Sequence, residues 1–405
     1  MKTPTFTTSE QFSKYLQTPL SRMGTGAEKY ELRNKIFNQD DVLPMWVADM
    51  DLPVAPFIIE ALHKRLQHPI LGYTIALDST YQAIVNWHSN KGVNVKVDQI
   101  EFTHNVANGL LMSVHAYSEV GDSILVQSPV YPPFLNAPNI TNRKCIESPL
   151  KLVNNRYQMD FDLIERQFKD EQVRLMLLCN PQNPSGRVWL KEELRRLGEL
   201  CVEYGVVIVS DEIHSSLILR GEFISMASIS EEIANITVTL DSPGKTFNLG
   251  GLQIGYALIQ NPTLKTQFQK IKANYSIEEL NLFAITALEA AYNNTSSALW
   301  VSTVKQLIQE NIAYLNSFLH NNFPNVKVME PEASYLIWLD FNAVFDNDDE
   351  MWGWFITNAK LGLNRGQSFS KTETIGQCSV RMNLAVPKRV LEQACQQLLQ
   401  AKETI

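Results

Sequence analysis

The amino-acid sequence predicts an α/β protein, with a mostly parallel sheet in a large domain joined to a smaller α+β domain. Three observations lead there. From Glu101 to about Gln260 short apolar strands alternate with helical stretches, the pattern of a largely parallel sheet crossed by helices. Beyond Asn261 the alternation fades into long helical segments, and the chain closes with strands near Ser334–Asp340 and Cys378–Leu384. At 405 residues the chain exceeds what one small core organises, so two domains are expected. The boundaries read as an N-terminal segment, 1–55, contributing to the small domain, a large domain over 56–292 and a C-terminal small domain over 293–405.

Composition narrows the function classes. Hydrophobic residues make up 45% and charged residues 19% of the chain, as in a soluble globular protein with ample core. A net charge of -8, with a pI near 5.5, argues against nucleic acid or an anionic membrane as the main partner. The start, Met1 to Lys14, is polar and Thr-rich and does not read as a secretory signal. No apolar run approaches a membrane span. The five cysteines are scattered without a CxxC pair, which suits a reducing cytoplasm and predicts neither disulfides nor a metal site.

Taken in order, the region up to Val42 mixes polar residues with turn formers, and Gly24-Thr25-Gly26 reads as a plain loop. The segment Leu43–Pro53 carries Asp49 and Asp51 between prolines; it should be extended, and any buried carboxylate in it needs a partner. Pro56–Gln67 has helical apolar spacing through Ile58, Ile59, Leu62 and Leu66. Gly72-Tyr73-Thr74 falls in a loop, and Tyr81–Lys91 reads as a helix. Candidate strands are Ser123–Gln127, Arg174–Cys179, Val206–Ser210, Ile236–Leu240 and Tyr256–Gln260, with a helix over Leu190–Tyr204. Helices follow over about Leu264–Tyr292 and Ser297–Asn321, and the acidic run Asp346–Glu350 reads as a solvated turn or helix start.

Residues with chemical potential gather just after the strands: Tyr131, Asn183, Asp211, His214 and Lys245. In an open α/β sheet the carboxyl ends of the strands form the ligand crevice. Lys245 stands beyond a strand and a Pro-Gly turn, where poor solvation should lower its ammonium pKa and free an amine that forms a Schiff base with an aldehyde. Taken alone, it reads equally as a surface lysine on a loop.

Several motifs then coincide: RMGTGAEKY at Arg22–Tyr30, MWVADMD at Met45–Asp51, LGYT at Leu71–Thr74 and SPVYPPF at Ser128–Phe134. NPQNPSG at Asn180–Gly186, SDEIH at Ser210–His214, KTFNLGGLQ at Lys245–Gln253 and RMNLA at Arg381–Ala385 follow. Together they resemble a fold-type I pyridoxal-phosphate (PLP) enzyme of the aminotransferase class I/II superfamily. MWVADMD with DEIH is most similar to the MalY/PatB group of cystathionine β-lyases, or C–S lyases.

The resemblance implies a role for each residue. Lys245 would carry the cofactor and act as the base at the substrate Cα. Asp211 would sit against the pyridine nitrogen, although a carboxylate after a strand also reads as a helix cap. Asn183 would donate to the phenolic oxygen or simply serve a turn. Tyr131 would stack on the ring, and His214 stands where transaminase relatives have tyrosine. Ser242, with the backbone N–H groups of Val106 and Ala107, would hold the phosphate. Tyr73 would reach the cofactor of a neighbouring subunit, making a homodimer part of the site. Arg381 would clamp the substrate carboxylate, or else be a solvent-facing arginine on an edge strand.

The sequence departs from the family pattern at Asn105, a usual glycine position where Asn tolerates a left-handed backbone, and at Gly244 and Ser216. Gln253 replaces the phosphate-binding arginine of transaminases, a feature shared with the lyase group. The implied reaction is β-elimination from cystathionine or another cysteine S-conjugate to thiol, pyruvate and ammonia. An aminotransferase on the same scaffold, or a fold-retaining regulatory protein, stays open at this point.

Overall fold

The computed structural model describes residues 6–277 and 279–405. The first five residues of the polar start Met1–Lys14, and Glu278 within the helical stretch Leu264–Tyr292, lie outside them.

The large sheet has seven strands: β1 (Ile100–Thr103), β2 (Ser123–Val126), β3 (Lys144–Glu147), β4 (Val173–Cys179), β5 (Val207–Asp211), β6 (Thr237–Asp241) and β7 (Gly255–Ile259). Their order across the sheet is β1-β7-β6-β5-β4-β2-β3. The ladders from β3 through β2, β4 and β5 to β6 are parallel, and β7 runs antiparallel to both β6 and β1. The five strands expected from sequence all form, within a residue at each end. The strands β1, Ile-Glu-Phe-Thr, and β3, Lys-Cys-Ile-Glu, are additions. Two apolar residues are too few to show a period, so pairing with β7 and β2 makes them strands.

Both faces of the sheet are covered, which is why its strands read as nearly continuous apolar runs. In β4, Leu175 and Leu177 join a core with Leu110 and Val114 of the helix Val106–Tyr117. Met176 and Leu178, on the other face, pack with Ile164, Phe168, Leu194 and Leu197 from the helices Phe161–Asp170 and Lys191–Tyr204. Each such side chain contributes about 1.5–3 kcal/mol on burial. The stretch Leu264–Tyr292 resolves into the helices Pro262–Asn274 and Leu282–Asn293. The second starts where the Asn281 side chain accepts the N–H groups of Phe283 and Ala284.

A second, antiparallel sheet orders β8 (Lys327–Met329), β9 (Leu336–Asp340), β10 (Asn364–Arg365) and β11 (Ser379–Asn383) as β8-β9-β11-β10. The 26-residue helix Ser297–Asn322 buries Trp300, Val304, Ile308 and Leu315 in a core shared with β9 and β11. Leu43 and Pro44 pair in parallel with Leu361 and Gly362, so the N-terminal segment is tied to this unit. The acidic run does start a helix, Asp348–Thr357, capped by Asn347. It is not wholly solvated, however: Asp348 is buried, pairs with Arg365 and accepts the Cys378 N–H at 2.7 Å.

The segment Met45–Asp51 is held extended by two amides. Asn248 accepts the Met50 N–H at 2.9 Å and donates to the carbonyls of Met50 and Leu52 at 3.0 Å. Asn383 donates to the carbonyls of Val47 and Asp49, both at 2.6 Å. The carboxylates find the partners that burial requires. Arg22 bonds Asp49 at 2.6 Å and Asp51 at 2.7 Å, while Lys29 pairs with the same two at 2.8 and 3.2 Å.

Candidate active site

A cavity of about 790 Å³ opens at the carboxyl ends of β4, β5 and β6, between the large sheet and the Met45–Asp51 segment. Tyr131, Asn183, Asp211, His214, Ser242 and Lys245 line it, with Val106 and Ala107 at one end. This is the crevice expected of an open α/β sheet.

Lys245 sits on the short helix Pro243–Thr246 that follows β6. Ser242 caps that helix, accepting the Gly244 N–H at 2.9 Å and donating to the Ile254 carbonyl at 2.6 Å. The Lys245 Nζ is open to the cavity but otherwise enclosed, and donates to the Ala48 carbonyl at 2.6 Å. Burial, helped by the Arg381 charge, lowers its pKa to about 8 against the pull of Asp49 and Asp211. The lowering is the one expected from sequence.

Asp211 ends β5 and accepts the Ile213 N–H at 3.1 Å. Burial raises its pKa to about 7; the Ile213 N–H and Lys245 oppose the rise, and the Asp241 charge adds to it. No cation bonds it among the described residues. His214 is buried, with Nδ1 unpartnered. Burial, then Lys245 and Arg381, push its pKa down to about 3, so the imidazole is neutral. Glu212 bonds Ser210, Ser225 and the Met226 N–H, each at 3.0 Å, and burial raises it to about 7.

The Asn183 carbonyl accepts the Tyr131 N–H at 3.1 Å, and its Oδ1 accepts Arg381 Nη1 at 2.9 Å. Arg381, on β11, is buried rather than solvent-facing, and its Nε has no partner. Its Nη2 donates to Asn364 Oδ1 at 2.6 Å and the Trp46 carbonyl at 3.1 Å, and its guanidinium lies 5.0 Å from the Phe369 ring centre. Burial lowers its pKa to about 10.

At the far end, Val106 and Ala107 open a 12-residue helix whose first N–H groups are free to meet an anion. Asn105 is not left-handed: its φ is -164°, and its Oδ1 caps the helix by accepting the Asn108 N–H at 2.7 Å. The left-handed residue is Gln253, at φ 56°, whose Oε1 accepts Asn105 Nδ2 at 2.6 Å. Gly255 lets β7 pass this turn, since a Cβ there would lie 2.8 Å from the Asn105 carbonyl carbon.

Two expected site residues do not line this cavity: Arg381 stands behind Asn183, and Tyr73 is 94% exposed on a segment without regular structure. Sequence reasoning missed other members of the site. Ala48 offers a carbonyl to both Lys245 and Tyr335. Lys91 bonds Asp241 at 3.0 Å and Ser215 at 2.9 Å beneath the sheet's edge. No spacing links residues 150 positions apart; only the fold brings them together.

The chain matches the family Aminotransferase class I and II over residues 41–398. It is 40% identical over 350 residues to cystathionine β-lyase PatB of Bacillus subtilis (strain 168), covering 86% of this chain and 90% of that one. With Protein MalY of Escherichia coli (strain K12) it shares 27% identity over 386 residues, 94% of this chain and 97% of that one. The structure superposes on cystalysin from Treponema denticola, which contains a pyridoxal 5'-phosphate cofactor, with a TM-score of 0.92 at 30% identity, covering 96% and 98% of the two chains. The chain therefore belongs to the aminotransferase class I and II family and, within it, to the PatB and MalY group of pyridoxal-phosphate-dependent carbon–sulfur lyases.

Proposed function

We propose that the protein is a carbon–sulfur β-lyase cleaving L-cystathionine or a related cysteine S-conjugate to a thiol, pyruvate and ammonia. The observation that carries this reading is one cavity in which Lys245, an amine lowered to about 8, faces Asp211, a buried carboxyl without a cationic partner among the described residues.

The residues present fit pyridoxal phosphate. Asp211 is the acid that a protonated ring nitrogen would stabilise, and the helix start at Val106 and Ala107, beside Ser242, is an anion site. Asn183, Tyr131 and His214 line the wall between them. When bound, the cofactor supplies an electron sink for the pair left at Cα.

The chain's own residues supply the rest. Lys245 would hold the cofactor through its aldehyde, and as a free amine, lowered to about 8, it is suited to take the substrate's Cα proton. Asp211 would hold a proton at the cofactor's ring nitrogen. Arg381 holds the substrate carboxylate, where its fork geometry and unpartnered Nε are of use. The Cβ–S bond breaks with its electron pair on sulfur, which takes up a proton. Water then converts the three-carbon remainder to pyruvate and ammonia.

The working unit is a homodimer in which Tyr73 reaches the neighbouring site. The support is a run of exposed apolar side chains, Ile70, Leu71, Tyr73, Ile75 and Leu77, on one loop, more than a monomer's surface ordinarily leaves in one place. The compartment is cytoplasmic, a reading supported by five free cysteines, four of them buried. No helix of the described residues is long and apolar enough to cross a membrane.

The test is holoenzyme with L-cystathionine and no keto acid, following pyruvate and free thiol together. Equimolar release in the wild type, abolished in Lys245→Ala, is expected. No release, with amino transfer once 2-oxoglutarate is added, would make it an aminotransferase.

A further inference from the structure

Beneath the active-site edge of the sheet lies a buried polar group that the mechanism above does not use. Asp241 ends β6 immediately before Ser242, the residue that caps the Lys245 helix, and its Oδ1 accepts the Ser242 N–H at 2.7 Å. Across the sheet its backbone neighbours are Asp211's strand on one side and Tyr256 of β7 on the other. Its Oδ2 lies 3.0 Å from Lys91 Nζ and 3.5 Å from His88 Nε2. Lys91 also donates to Ser215, next to His214, at 2.9 Å. His88 bonds the Tyr256 hydroxyl at 3.0 Å, which meets the Tyr292 hydroxyl at 2.9 Å.

Charge is what makes this group informative. His88 is held neutral by burial and by Lys91, and both tyrosines are kept protonated by burial. Lys91 is therefore the one cation paired with Asp241 among the described residues. Buried beside Asp211, an uncompensated second carboxylate would oppose ionisation of the first. The other titratable groups near Asp211 are Lys245, Tyr131, the Cys179 thiol, the neighbouring Glu212 and the neutral His214.

We propose that Lys91 is a positioning residue for the active site: by neutralising Asp241 it leaves Asp211 as the single uncompensated carboxylate available to the cofactor's ring nitrogen. The same ion pair ties the two chain segments that carry the chemistry. Lys91 bridges the start of the Lys245 helix, through Asp241, to the Asp211–His214 turn, through Ser215. The inference rests on the reading that Asp211 meets the cofactor.

The test is binding rather than turnover. The dissociation constant of pyridoxal phosphate is measured from its protein-bound visible band between pH 5.5 and 8.5, a range of about three units centred near Asp211's titration. Binding needs Asp211 ionised, so affinity falls as pH drops through its pKa. Lys91→Met removes the cation that opposes the burial raising the Asp241 carboxyl; where Asp241 keeps its charge, the midpoint moves up by about one unit, a roughly tenfold loss of affinity below it. Asp241→Asn leaves the Lys91 charge exposed and moves the midpoint down. Lys91→Met combined with Asp241→Asn returns it close to the wild type, and Lys91→Arg keeps it there.

Opposite shifts in the two single variants cannot come from a purely structural role, which would weaken binding in both without a signed change in midpoint. Unmoved midpoints, or shifts of the same sign, overturn the proposal. Should Lys91→Met not fold, Asp241→Asn and the double variant, which bury no lone carboxylate at this point, decide it by the same signs. A wild type that binds cofactor without any fall in affinity at low pH overturns the reading of Asp211 itself.

Discussion

At the residue scale, the site is a set of ionisable groups whose pKa values converge because they are buried together. Lys245 comes down to about 8 while Asp211 and Glu212 come up to about 7. In the cofactor-free protein this has a signed consequence for stability. A carboxyl raised from 3.8 to about 7, as Asp211 is, favours folding in its protonated form. Its contribution is full below its unfolded pKa and lost as pH rises through the folded one. Glu212, raised from 4.5 to about 7, has the same sign. Lys245, depressed from 10.5 to about 8, acts oppositely and in a higher window: its contribution is lost as pH falls through about 8. The cofactor-free protein should therefore lose stability between pH 4.5 and 7, a span of about two to three units. Asp211→Asn should flatten that decline by on the order of 1–3 kcal/mol, read by urea unfolding at the two ends. An unchanged slope would remove Asp211 from this role.

At the element scale, the anion site is made by a helix start and a strand that pass at close quarters. The helix Val106–Tyr117 brings its first turn against β7 only because position 255 has no side chain. A Cβ there would lie 2.8 Å from the Asn105 carbonyl carbon, 2.9 Å from Thr103 Oγ1 and 3.0 Å from the Val106 nitrogen. Gly255→Ala should cost about 2–3 kcal/mol, since backbone must move to admit the methyl group. It should also weaken cofactor binding, because the displaced residues are Asn105 and Val106. Thermal unfolding and cofactor titration measure the two effects, and an alanine variant as stable as the wild type would show that the turn relaxes freely.

At the scale of the whole molecule, the cavity draws its walls from the N-terminal segment and the large sheet, with the C-terminal unit packed behind them. Ala48 and Asp49 come from the N-terminal segment, Lys245 and Asp211 from the large sheet, and Arg381 approaches on β11 behind Asn183. We propose the boundaries 1–55, 56–292 and 293–405 as the units that meet there. The exposed loop around Tyr73 extends the same logic to a second subunit. Ile75, 74% exposed beside Tyr73 at 94%, should not tolerate a charge at a subunit interface. Ile75→Asp should give monomers by sedimentation at micromolar concentration, whereas Tyr73→Phe should stay dimeric and bind cofactor about tenfold more weakly. A dimeric Ile75→Asp variant would place the interface elsewhere.

Much of this molecule was legible in the sequence. Continuous apolar runs bounded by turn residues identified the central strands to within a residue, because burial on both faces leaves little choice of side chain. The motifs after those strands located Tyr131, Asn183, Asp211, His214 and Lys245, and the fold gathers all five around one cavity. That Asp49 and Asp51, if buried, need partners was also expected from the sequence. What tertiary structure decided was pairing at a distance. Arg22 and Lys29 as the partners of those carboxylates, Lys91 against Asp241, and Asn183 against Arg381 are separated by 20 to 198 positions. Helix and strand periods report only which way a side chain faces, not what it meets. The backbone at Asn105 shows the same limit. Its side chain could have served a left-handed turn, but pairing of β7 with β1 placed the helix start where the residue caps it from an extended conformation. Local propensity offers a set of conformations, and packing against distant chain selects among them.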